Sequence, residues 1–276
     1  MRAEFAVVGD PVHHSLSPQI HQAAFTARGL EGWRYRRVQV PGGQLEHRWE
    51  ELARRFAGIN VTAPHKLSAF RLCARVTPRA WRCKSVNTVT FGPSGAVGDS
   101  TDGPGFLAAL REARPAPPGA AVILGAGGAA RAVAAELQGA GCRVQLAARD
   151  RARAEAVSEE LGLRVPPAPI TAPGLARALD GADLLVNATP VGGDGLSSPL
   201  PDGVELSSRT AVVDLVYWPA RTPLLRTAAS RGCPTASGLV MLVEQAALAF
   251  ELWSGLSAPR SQMMQAVLEE SRRGGG

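Results

Sequence analysis

Lysine is nearly missing from this chain: of its 30 basic residues only Lys66 and Lys84 are lysines, the rest being arginine. A chain so biased keeps lysine by drift or where arginine cannot serve, and lysine, unlike arginine, can give up a proton near neutral pH. Cysteine is sparse as well. Cys73, Cys83, Cys142 and Cys233 form no CxxC, and no His pair sits at zinc-ligand spacing, so no metal site is expected. Buried free thiols in a reducing compartment are expected instead. No apolar run reaches membrane-spanning length, and the apolar part of MRAEFAVVGDPVHH is too short for a signal peptide. These absences predict a cytoplasmic protein with no membrane partner. Internal repeats, long basic runs and aromatic platforms between basic residues are also lacking, which argues against nucleic acid as a partner.

What is present is enough apolar material for two cores: 276 residues, 45% of them hydrophobic. Lys+Arg (30) exceeds Asp+Glu (24) by six, an excess that suits a mixed-charge surface and also an anionic small-molecule ligand. Strand and helix patterns alternate along the first hundred residues. Glu4–Gly9 reads as a strand and Pro18–Gly29 as a helix with Ser17 as its N-cap. Trp33–Val40 reads as a strand, Gln44–Phe56 as a helix, Gly58–Thr62 as a strand, His65–Arg75 as a helix and Val86–Phe91 as a strand. A connecting helix, Asp102–Glu112, ends at the punctuation Arg114-Pro115-Ala116-Pro117-Pro118-Gly119. Alternation then resumes: strands Ala120–Leu124, Cys142–Ala147, Leu184–Asn187 and Ala211–Leu215, with helices Ala129–Ala140, Arg151–Leu161 and Gly238–Trp253. The expectation is a two-domain α/β protein: an N-terminal α/β domain (1–102 with 238–270) and a Rossmann-type dinucleotide domain (103–237). The C-terminal helices are expected to return to the first domain, and 271–276 to form a disordered tail.

Gly125-Ala126-Gly127-Gly128-Ala129-Ala130 follows the strand AAVIL and opens a helix, matching G-x-G-x-x-G/A. The first Gly permits the tight turn, the second lets a pyrophosphate approach the backbone, and the small third position lets helix and strand pack closely. Helix N-terminal N–H groups then face the phosphates. At the end of the next strand, Arg149 lies 24 positions after Gly125, where a 2′-phosphate would be met, which favours NADP(H) over NAD. The neighbouring carboxylate of Asp150 works against that preference.

The other polar segments lie mostly at predicted strand ends of the first domain, where ligands bind in α/β sheets. They are Gly9–Pro18, Gly58–Lys66, Ser85–Val89 and Gly98–Gly103. Together they offer hydroxyls, an amide, an ammonium and a carboxylate, a set suited to a hydroxylated carboxylic acid. Singly, each has a plainer reading as a cap, a turn residue or a solvated side chain.

Taken together, these motifs closely resemble those of the shikimate dehydrogenase family along nearly the whole chain. HSxSP is present as His14–Pro18, NVTxPxK as Asn60–Lys66, NTV as Asn87–Val89 and TDGxG as Thr101–Gly105. GAGGAARA is present as Gly125–Ala132, NATP as Asn187–Pro190, DxVYxPxxTPLL as Asp214–Leu225 and GxxMLxxQA as Gly238–Ala246. The resemblance implies NADPH-dependent, reversible reduction of 3-dehydroshikimate to shikimate, by a monomer or homodimer. It implies a catalytic pair in Lys66 and Asp102. It implies a substrate set of Ser15, Ser17, Asn60, Thr62, Asn87, Tyr217 and Gln245, with the serines and Tyr217 at the carboxylate. For the cofactor it implies Gly125, Ala126, Gly127, Gly128, Ala129, Arg131, Arg149, Asn187, Thr189 and Gly238. Ser17, where quinate-using relatives tend to carry Thr, implies shikimate. Departures from the family pattern are Ser85, Ser100 and the triplet Ala148-Arg149-Asp150.

The chemistry of the residues agrees. Hydride arriving at a carbonyl carbon leaves negative charge on oxygen, which must be stabilised and protonated. Lys66 can do both, and Asp102 would hold its ammonium in place; which of the two is the formal acid–base stays open here. Lys84 is expected to be a surface residue. Three other readings remain at this stage: a quinate/shikimate dehydrogenase using NAD, a non-catalytic sensor of a pathway metabolite, and a structural nucleotide-binding protein.

Overall fold

The computed structural model describes residues 3–114 and 116–273. Its first part alternates as the sequence predicts. Strand β1 (Ala3–Gly9), helix α1 (Ser17–Ala27), strand β2 (Trp33–Gln39), helix α2 (Leu45–Arg55), strand β3 (Gly58–Val61) and helix α3 (Lys66–Leu72) follow in order. Then come strand β4 (Arg75–Val76), helix α4 (Pro78–Cys83) and the strands β5 (Thr88–Gly92) and β6 (Gly95–Asp99). They form one sheet in the order β2-β1-β3-β5-β6-β4. β1 is parallel to β2 and β3, whereas β5 runs antiparallel to both β3 and β6.

The second part begins with helix α5 (Asp102–Ala113), strand β7 (Ala120–Leu124), helix α6 (Gly128–Gly139), strand β8 (Arg143–Ala148) and helix α7 (Arg151–Leu161). It continues through β9 (Ala168–Pro169), α8 (Ala172–Leu179), β10 (Leu184–Asn187), β11 (Ala211–Asp214), α9 (Pro223–Ser230) and β12 (Thr235–Ser237). These strands make an all-parallel sheet, β12-β11-β10-β7-β8-β9. Helices α10 (Gly238–Ser254) and α11 (Arg260–Arg273) complete the chain.

Continuous apolar strands mean two covered faces. In the parallel sheet Ile123, Leu146, Val186 and Val213 pack with α6 and α7, while Val122, Leu124, Leu185 and Val212 pack with α8 and α9. In the first sheet Ala6, Val8, Ile59 and Val61 face the core under α2 and α3. Phe5 faces the other way, onto an aromatic cluster with Phe25, Trp33 and Trp253. α10 thus supplies Trp253 to the first unit, and α11 packs against α1.

The chain divides into two units, residues 1–102 with 243–276, and residues 103–242. The division falls inside α10, between Leu242 and Val243, rather than at Gly238 as the sequence suggests. The first turn of α10 stays with the second unit because Met241 and Val240 pack into that unit's core.

Several local expectations need correction. Ser17 does not N-cap α1; it is the first helical residue, Leu16 holds the cap position, and no side chain bonds there. The helix expected over His65–Arg75 stops at Leu72, because Arg75 and Val76 pair with Val97 and Gly98. The strand expected from Val86 begins at Thr88. Lys84 is not a free surface lysine: it ends α4 in the left-handed region (φ 50°), its ammonium 3.5 Å from the Trp81 ring centre. In the expected tail, 271–273 belong to α11, and 274–276 lie outside the described residues. Pro115, read as part of the punctuation after α5, also lies outside them. The four cysteines are free.

Candidate active site

The antiparallel turn of β5 brings three strand ends to one place. Thr88 pairs with Asn60 at the end of β3 on one side and with Asp99 at the end of β6 on the other. Asn87, just before β5, receives Val61 N–H on its carbonyl and donates its own N–H to Asp99 O. Lys66 opens α3 beyond the Thr62–His65 turn, where His65 N–H bonds Thr62 O. Asp102 opens α5 beyond β6.

Here Lys66 Nζ donates to Asp102 Oδ2 at 2.5 Å, with side-chain exposures of 14% and 5%. An ion pair this buried loses much hydration, so its remaining lone pairs need partners. Asn87 supplies one, its Nδ2 donating to Asp102 Oδ1 at 2.9 Å and to Thr101 Oγ1 at 2.9 Å. Asn87 Oδ1 in turn accepts Thr101 N–H at 2.7 Å, and Gln245 Oε1 from α10 lies 3.3 Å from Asn87 Nδ2. Behind them Asp99 pins the segment. Its carboxylate accepts two guanidinium bonds from Arg79, one from Thr77 Oγ1 and one from Ser100 N–H, at 2.6–2.7 Å. Ser85 and Ser100, two departures from the family pattern, are buried.

Ser15 and Ser17 adjoin: Ser15 Oγ donates to Ser17 Oγ at 3.1 Å and accepts Ser17 N–H at 3.3 Å. Arg37 holds this loop by donating twice to Ser15 O. Thr62 is half-buried, packed where a Cβ on Gly9 would lie 2.3 Å from its methyl group. Asn60, expected at the substrate, is spent on the fold. Both amide hydrogens go to Asn87 O and Thr88 Oγ1, and its Oδ1 accepts from Tyr35 OH. Tyr217 lies in the second unit, just beyond β11, and is half-buried.

The glycine loop has the backbone a dinucleotide needs. Gly125 sits at φ +111°, and a Cβ there would come 3.1 Å from Ala188 O. Gly127 caps α6 with no side chain bonded to the helix end, and a Cβ there would meet nothing within 4 Å. The first N–H groups of a twelve-residue helix are thus left for an anion. Ala130 is fully buried against the sheet. Arg149 is exposed. Asp150, whose charge is expected to oppose a phosphate, N-caps α7 by accepting Arg153 N–H at 3.0 Å. Arg153, absent from the sequence reading, donates from Nε to Ala126 O at 3.1 Å, one turn beyond Arg149.

Two expected cofactor residues turn inward instead. Arg131 is buried and paired with Glu160 of α7 at 2.7 Å, so it joins helices. Asn187 is wholly buried. Its Nδ2 donates to Val191 O and Asp214 Oδ1, and its Oδ1 accepts from both the N–H and the hydroxyl of Thr189. It shapes the loop whose Ala188 carbonyl and Thr189 methyl lie against Gly125. Asp214 also accepts from Val216 N–H and Thr222 Oγ1, and burial raises its carboxyl above the usual carboxylate range. Gly238 packs where a Cβ would lie 2.4 Å from Leu215 O. Among the described residues no three His, Cys, Asp or Glu side chains gather as a metal site, and no helix is long and apolar enough to cross a membrane.

A glycine-loop parallel sheet in one unit and a buried lysine–carboxylate couple in the other define a nicotinamide-dependent dehydrogenase of two domains. Residues 7–89 match the family described as Shikimate dehydrogenase substrate binding domain, and residues 238–268 match Shikimate 5'-dehydrogenase C-terminal domain. The chain is 46% identical to shikimate dehydrogenase (NADP(+)) of Thermus thermophilus, over 95% of this chain and 97% of that one. It is 48% identical to the enzyme of the same name from Methylocella silvestris, over 90% and 89%. A crystal structure of shikimate 5-dehydrogenase from Thermus thermophilus in complex with NADP(H) and shikimate superposes with TM-score 0.85 at 43% identity, covering 98% and 99% of the two chains. The chain belongs to the shikimate dehydrogenase family.

Proposed function

We propose that this chain catalyses the reversible, NADPH-dependent reduction of 3-dehydroshikimate to shikimate. The observation that carries this reading is the buried Lys66–Asp102 pair, held from behind by Asn87. When bound, the reduced nicotinamide supplies a hydride to the carbonyl carbon. Lys66 stabilises the oxygen that becomes negative and delivers the proton that completes the hydroxyl. Asp102 keeps the ammonium oriented, and Asn87 keeps Asp102 oriented. The adjoining hydroxyls of Ser15 and Ser17 suit the substrate carboxylate, and Thr62, Gln245 and Tyr217 add further polar contacts. The glycine loop and the uncapped end of α6 hold the pyrophosphate, with Arg149 and Arg153 available to a 2′-phosphate. On this reading the enzyme works in the cytoplasm, as a monomer or homodimer, on a small soluble anion.

The test is the initial rate of NADP reduction with shikimate as substrate, run in parallel with NAD and with quinate. Turnover with shikimate and NADP is expected to exceed the other three pairings. No absorbance change with either cofactor would remove the proposal.

A further inference from the structure

Tyr35 of β2 and Asn60 of β3 stand on strands flanking β1, paired with Phe5 and Val7 respectively. Their side chains meet across it, with Tyr35 OH 2.6 Å from Asn60 Oδ1. The direction of this bond follows from its neighbours. Asn87 O can only accept, so Asn60 must turn Nδ2 toward it, at 3.2 Å. That leaves Oδ1 facing the phenol, which must donate. Asn60 also donates to Thr88 Oγ1 at 3.0 Å, and Asn87 holds Asp102. An unbroken line of hydrogen bonds therefore runs from Tyr35 to the Lys66–Asp102 couple.

The phenol is itself held in place. The buried ring of His21 stacks on Tyr35 at 4.3 Å and 4° between planes. Burial pushes the Tyr35 hydroxyl well above its ordinary range, with the Ser17 hydroxyl acting the other way as a hydrogen-bonding neighbour. Tyr35 thus stays protonated as a donor to Asn60.

We propose that Tyr35 is a positioning residue that holds the Asn60–Asn87–Asp102 line in place and so sets the reacting geometry, an inference that rests on the dehydrogenase reading above. Removing only its hydroxyl leaves the ring and its packing in place. Asn60 Oδ1 then loses its donor, and the amide that braces Asn87 is free to turn. Small displacements of a catalytic group lower the rate of the chemical step more than they alter remote binding.

The experiment is steady-state kinetics of shikimate oxidation by the full chain and by Y35F, N60A and the double variant, with thermal unfolding of each. In Y35F, kcat is expected to fall about tenfold while KM for NADP stays unchanged. In the N60A background the same replacement is expected to cost nothing further, because the line is already cut. Wild-type kcat in Y35F, or losses that multiply in the double variant, would overturn the proposal. If Y35F does not fold at the assay temperature, N60D carries the test: its carboxylate cannot donate to Asn87 O, and a wild-type rate would overturn the proposal equally. A wild-type chain that reduces no NADP overturns the dehydrogenase reading and this one with it, whereas an active wild type with an equally active Y35F overturns this one alone.

Discussion

At the ends of β3, β5 and β6, the side chains of Asn60, Asn87, Thr88, Thr101 and Asp102 bond to one another. At the end of β7 the chain instead offers glycines and a helix end uncapped by any side chain. The two sheets solve different problems. A hydroxylated acid must be told from near relatives and protonated at one oxygen, which needs specific side chains in fixed places. A pyrophosphate is the same in every dinucleotide, and backbone N–H groups at a helix start are enough to hold it. Side chains at the second sheet act mostly from behind, as Asn187 and Asp214 do.

The sharpest way to break this contrast is at Lys66. In K66A, turnover is expected to fall by about 10³-fold or more, while shikimate affinity by calorimetry changes far less. Comparable losses of binding and rate would mean that the lysine only anchors substrate. A second difference lies in acid response, since all five histidines fall within residues 13–65. Burial lowers His21 to about 3, Asn60 acting the other way. The unfolded chain takes up a proton near pH 6.5 while the folded one does not, so stability is complete above that pH and is lost as pH falls toward 3. Between pH 7 and 5 this amounts to about 2 kcal/mol, and H21F is expected to flatten the melting-temperature profile over that interval. At the other sheet, Gly125→Ala would force a side chain into a positive-φ turn, costing about 1–2 kcal/mol of stability. Denaturant titration measures that loss, and KM for NADP should rise while KM for shikimate does not. Smallest is R149A, expected to raise KM for NADP about tenfold, about 1.4 kcal/mol, and to leave KM for NAD alone. An equal rise for both cofactors would move the 2′-phosphate contact to Arg153.

The parallel sheet is readable in its central part, β7, β8, β10 and β11. These four strands are short apolar runs, α6 and α7 follow the first two, and the glycine loop lies between β7 and α6. β4, β9 and β12, two or three residues each, are too short to show any period. α8 and α9 carry a start signal in the sequence, Thr171 and Thr222 capping them ahead of a proline, but each runs only eight residues. For the site, the motifs named Lys66, Asn87 and Asp102, but only the β5–β6 pairing shows why residues 36 apart in sequence meet. That Asn187 and Arg131 turn inward is not legible either, because a polar residue in a loop motif looks the same whether it faces a ligand or fastens the loop. Tyr35 and His21 belong to none of the motifs and are buried, so nothing in the sequence sets them apart.

Thr77 illustrates how little slack such a design holds. Its one hydroxyl both accepts Ala80 N–H, starting α4, and donates to Asp99. Losing it would uncap α4 and take one donor from the carboxylate that pins the approach to Asp102 in the same stroke, so the two contacts stand or fall together.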